Sequence, residues 1–145
     1  MQKEFEKLSQ QDRELLLKAP VLVSLLAAST DGAFDEEEKA DAIELAHFRT
    51  FTAIPELQPF YREVEKIIKS QWEQLTQQYS PLDEMNHQAL GQEVEEVNKV
   101  ILKLDEDYAR WLTKSLKSYA KHVSEIHRNF FEFFVFPPNV PGITD

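Results

Sequence analysis

The stretch VLVSLLAASTDGAFDEEEKAD, Val21 to Asp41, decides how this chain folds. Its first part is apolar on nearly every side of a helix, with only Ser24 interrupting, which predicts an enclosed central helix. Thr30-Asp31-Gly32-Ala33 then breaks the pattern, and Gly32 supplies the left-handed backbone that a helix stop favours. Asp35 follows as an N-cap, and Glu38, three residues on, completes an Asp-x-x-Glu capping box. One buried helix, an acidic bend and a second helix are therefore written into these residues.

The same period extends in both directions. Upstream, Ser9 is placed to cap a helix carrying Leu15, Leu16 and Leu17, with Asp12 at the box position and Pro20 as the point of restart or kink. Downstream, Ala40, Ile43, Ala46 and Phe51 form the expected inward stripe. "TAIPELQP" is a turn with two prolines. A longer helix follows, lined by Phe60, Val64, Ile67, Ile68 and Leu75. "YSPLDEMN" breaks again, and Leu90, Val94, Val97, Ile101 and Leu104 mark the next helix. "DED" at 105–107 offers a cap or kink before Leu112, Leu116, Tyr119, Val123 and Ile126. Glycine is scarce and β-branched runs are absent, so strands have little support. The expectation is an all-α fold: one domain spanning 1–145, a bundle of five to six packed helices, with a Phe/Pro-rich tail at 129–145.

Bulk composition narrows the function classes. A net charge of −10 argues against a nucleic-acid partner, because phosphate binding needs a basic surface. The absence of cysteine removes disulfides and thiolate metal sites. No apolar run reaches the length of a transmembrane segment, and "MQKEFEKLSQ" lacks the features of a secretory signal. These features lead to the expectation of a cytoplasmic protein. The four histidines show no i, i+4 zinc pair, no nucleophile motif is present, and no glycine-rich loop cradles phosphate. The expectation is a non-enzymatic protein.

Three features remain as candidates for function. The first is the acidic bend, where Asp31, Asp35, Glu36, Glu37, Glu38, Asp41 and Glu44 face only Lys39, a local charge of −6. The positive end of the helix dipole explains residues 35–38, at roughly 0.3–1 kcal/mol each. The other explanation is a hard cation. Against the calcium-loop pattern, Asp31-Gly32, Asp35 and Glu38 fall on ligand and glycine positions, but Ala27 stands at the first position and excludes a full loop. Half a site survives, with Asp31, Asp35 and Glu38 as oxygen donors for a divalent cation such as calcium or magnesium. The second candidate is a basic stripe of Arg110, Lys114, Lys117, Lys121 and Arg128, which reads either as a solvated face or as a docking ridge for an acidic partner or a second copy. The third is the tail, whose Phe130, Phe131, Phe133, Phe134 and Phe136 call for burial, either on the helices or in a homodimer contact.

The segment "LLLKAPVLVSLLAASTDGAFDEEEKADAI" resembles the signature of the TerB-like (tellurite resistance protein B) family: an apolar helix, the small step Ala27-Ala28, Asp31-Gly32, the apolar Phe34 and then Glu38. "LDEDYARWLTKSLKSYAKHVSE" resembles that family's second helical half. The resemblance implies an all-α fold with an acidic surface, an association with tellurite resistance and stress defence, and a metal-sensing role for the acidic loop. The chain departs from the pattern in lacking a second Asp-Gly and in its phenylalanine-rich tail.

Overall fold

The computed structural model describes residues 3–29 and 35–124. Asp31, Gly32, Phe34 and the 129–145 tail, all singled out above, lie outside the described residues. Among those described there is no strand. Six α-helices run in the order α1 (Lys3–Glu6), α2 (Gln10–Ala28), α3 (Glu36–Thr52), α4 (Gln58–Gln78), α5 (Glu84–Ile101) and α6 (Glu106–Ser124), with a 3-10 turn at Pro55–Leu57 before α4. They pack as one helical bundle.

α2 is the hub, packed against α4, α5 and α6 and touching α3. Every residue from Ala19 to Ala28 is buried. Ser9 caps its start, accepting from the Asp12 amide at 3.1 Å. Asp12 does not close the box; its carboxylate instead binds Lys103 at 2.6 Å. Pro20 does not restart the helix as the sequence led one to expect, and α2 continues through it. Interior proline costs about 3 kcal/mol. Full burial of Leu22, Val23 and Leu25, at about 1.5–3 kcal/mol per side chain, more than offsets this. The one polar side chain in the run, Ser24, donates its hydroxyl to the Pro20 carbonyl at 2.7 Å, so it is buried without loss.

The remaining helices follow their periodicity. α4 buries Phe60, Val64, Ile68 and Leu75, together with Tyr61 and Trp72. α5 buries Leu90, Val94, Val97 and Ile101. Leu112, Leu116, Tyr119 and Val123 of α6 are buried, and Asp105 caps that helix by accepting from the amides of Asp107 and Tyr108. Phe5 of α1 closes one end with edge-on contacts to Phe60 and Tyr108.

α3 departs from expectation. Its buried residues are Ala42, Leu45 and Ala46, whereas Ala40 is exposed and Phe51 is 60% exposed. The inward stripe is thus 42-45-46-49-53, and its fourth member is Arg49. Ala46 is buried and Ile43 packs against the core as expected, but a cation in a core-facing register breaks the apolar pattern, and Ala40 and Phe51 face outward instead.

Candidate functional site

α3 joins two charged regions. At its start the capping box forms as the sequence predicts: Asp35 Oδ1 accepts from the Glu38 amide at 2.7 Å, and Glu38 Oε1 accepts from the Asp35 amide at 3.1 Å. Lys39 reaches across to Glu73 of α4 at 3.0 Å. That hydrogen bond holds the Lys39 amine above its usual range and the Glu73 carboxyl below its own. Asp35 and Glu38 are therefore brought together, but each already has one oxygen on the other's backbone. Asp31, the third proposed donor, lies outside the described residues. Among the described residues no group of three or more His, Asp or Glu is placed to hold a metal ion.

The histidines have local roles. His47 pairs with Glu65 at 2.5 Å. Ser29 donates its hydroxyl to the Leu26 carbonyl at 2.6 Å, so His87 donates its Nδ1–H to Ser29 Oγ at 2.5 Å, tying the end of α2 to the start of α5.

At the other end of α3, Arg49 clamps three helices. Its Nη1 donates to the Tyr61 hydroxyl of α4 at 3.0 Å and to the carbonyl and hydroxyl oxygens of Ser115 of α6, both at 2.8 Å. Its Nη2 donates to Ser118 Oγ at 3.1 Å. The guanidinium carbon lies 5.5 Å from the Tyr61 ring centre and 5.2 Å from that of Tyr119, and the two rings are parallel to within 8°. Tyr119 donates its hydroxyl to the Ala42 carbonyl. Burial pushes that hydroxyl's pKa well above the ordinary tyrosine value, with Tyr61 adding to the rise and the Arg49 charge opposing it. Aromatic faces and neutral oxygens stabilise the Arg49 charge. Among the described residues it makes no ion pair with a carboxylate.

Arg49 lines an open groove of about 570 Å³ between the end of α3, the 3-10 turn and α6. The floor and walls are apolar, with Leu45, Leu57, Ile54 and Trp111, and Lys114 stands on the rim. Among the described residues, no acidic side chain lines it. Beside it, the outer face of α3 exposes Phe48 and Phe51, 43% and 60% accessible and edge-on to each other, with Ile54 42% accessible on the groove wall. Exposed apolar residues clustered in this way mark contact surfaces more often than scattered ones do.

Arg128 of the basic stripe expected on α6 lies outside the described residues; among the described members, only Lys114 reaches this groove. Arg110 is held by Asp107 at 2.7 Å. Lys117 is half-buried and already engaged, and Lys121 is exposed one turn further along. A second groove of about 730 Å³ lies between α2 and α5. It mixes both signs of charge and pairs several within itself, including Asp12 with Lys103 and Glu96 with Lys99. Arg49 is the residue the sequence reading missed. The signal for it was present in the 42-45-46-49-53 spacing, in which three small or apolar residues lead into a cation.

Among the described residues, no helix is long and apolar enough to cross a membrane. Comparison with known proteins finds no matching family model, no matching curated protein and no matching solved structure.

Proposed function

We propose that this chain is a non-enzymatic interaction module that docks an acidic, apolar-anchored segment of a partner protein in the groove between α3 and α6. One observation carries the reading. In a chain of net charge −10, this groove has an apolar floor, two cations and, among the described residues, no acid, and α3 exposes Phe48 and Phe51. Opposite charge then selects the partner, and the Trp111 and Ile54 surfaces supply the area from which affinity comes. Arginine and tryptophan are also the side chains that most often dominate binding energy at protein interfaces.

The TerB-like kinship and its association with stress defence stand beside this reading as a proposal. A helical bundle agrees with what that resemblance implies for the fold, but a fold alone carries no function. The reading of Asp31, Asp35 and Glu38 as a calcium or magnesium site draws less support, because the capping box already uses an oxygen from each of the last two.

Selection of displayed random peptides on the folded chain tests the docking reading. Enriched peptides should combine Asp or Glu with an aromatic residue and should lose binding to a Phe48→Ser, Phe51→Ser, Lys114→Glu variant. Equal binding to that variant would refute the reading. A concentration-dependent dimer whose contact maps onto the groove would refute the choice of a foreign partner and assign the groove to a second copy.

A further inference from the structure

We propose that Arg49 and Lys114 form a receptor for a single carboxylate, so that the docked segment is recognised by an Asp or Glu side chain adjoining a large apolar residue. This rests on the docking reading above and names its recognition chemistry.

A guanidinium has five N–H donors in a rigid plane. Both Nη1 hydrogens are shared among the Tyr61 hydroxyl and the two Ser115 oxygens, and one Nη2 hydrogen is taken by Ser118. Nε–H and the second Nη2 hydrogen have no protein acceptor among the described residues. Two guanidinium donors of this kind match the spacing of a carboxylate's two oxygens, the bidentate arrangement that gives arginine its preference for this group. The rest of the side chain cannot swing away to find another acceptor, because it is fixed by four hydrogen bonds and two ring faces. A receptor held in place before binding loses little conformational entropy when the ligand arrives.

Lys114 adds the second positive charge. It is exposed, lines the same groove and has no partner among the described residues. Carboxylate is favoured over phosphate by the surroundings. The groove is mostly apolar, so burying a phosphate's additional charge and oxygens there costs more than burying a single carboxylate. An apolar side chain next to the carboxylate then falls over Trp111 and Ile54.

Nuclear magnetic resonance of the full chain tests this directly, with acetyl-aspartyl-phenylalanine amide as the probe. Acetyl-asparaginyl-phenylalanine amide and inorganic phosphate serve as comparators. The Arg49 Nε–H and Trp111 indole signals should shift saturably with the aspartyl probe. The asparaginyl probe should bind about tenfold more weakly, since it loses a charge-assisted pair. Lys114→Gln should weaken the aspartyl probe severalfold with no change in melting temperature. Equal affinity for the two dipeptides at these residues would overturn the carboxylate receptor and leave the docking groove standing. A stronger response to phosphate at Arg49 would also overturn it. Shifts confined to residues elsewhere would overturn both.

Discussion

The two ends of α3 handle charge in opposite ways. At its start, residues 35–38 are acidic: the Asp35–Glu38 box closes on its own amides, and the neighbouring Lys39 is taken by Glu73 of α4. At its end, one cation is held by two other helices, α4 and α6, through neutral oxygens and ring faces, with no counter-ion among the described residues. Charge density alone would have pointed to the acidic end as the functional one. The difference teaches that a carboxylate pair already bonded to its own backbone amides has less left to offer a ligand than a single fixed charge with donors to spare.

The comparison breaks most sharply at Arg49. Arg49→Ala removes hydrogen bonds to Tyr61, Ser115 and Ser118 together and should destabilise the bundle by about 3 kcal/mol, the scale of charge-assisted bonds lost from a half-buried site. Chemical denaturation measures this, and a loss below about 1 kcal/mol would mean that the clamp contributes little.

Alkaline titration tests the packing on which Arg49 rests. Burial raises the pKa of Tyr119 and of Tyr108, and Glu4 adds to the rise at Tyr108. Burial also raises that of Tyr79, helped by its hydrogen bond to Glu93. A folded-state value above the unfolded one means that the folded chain holds the proton more tightly. The contribution is therefore complete below about pH 10, where unfolded tyrosine titrates, and is lost as pH rises towards the folded values. Stability should fall above about pH 10, and Tyr108→Phe should make that fall shallower. A pH-independent unfolding midpoint across this range would contradict the burial assigned to these hydroxyls.

At the acidic end the expected effects are smaller. Asp35→Ala removes the cap and should cost about 1 kcal/mol, with no effect on peptide binding at the groove. Loss of groove binding in this variant would show that the two ends are coupled. Calcium or magnesium should leave the melting temperature unchanged; a saturable rise that Glu38→Gln abolishes would restore the cation reading of Asp31, Asp35 and Glu38.

The architecture was largely legible before any coordinates. The 3-4 spacing of Leu90, Val94, Val97 and Ile101 and that of Leu112, Leu116, Tyr119 and Val123 mark two faces that the bundle buries. The Asp35–Glu38 box is also local, and local hydrogen bonds follow from sequence spacing. What was not legible depended on distant residues. Pro20 remains inside α2 because three helices enclose that stretch. Ala40 and Phe51 were misplaced on the inward face of α3 because its register passes through Arg49, whose partners lie 12 to 69 residues away. The basic stripe on α6 was visible, but Asp107 already holds Arg110, and only the fold shows that Lys114 meets Arg49 in one groove.

Hydrogen–deuterium exchange of the full chain, with and without a selected acidic-aromatic peptide, tests the central claim most directly. The account predicts added protection confined to residues 45–57 and 111–118, and none at 35–41. Protection at 35–41, or in the groove between α2 and α5, would contradict it.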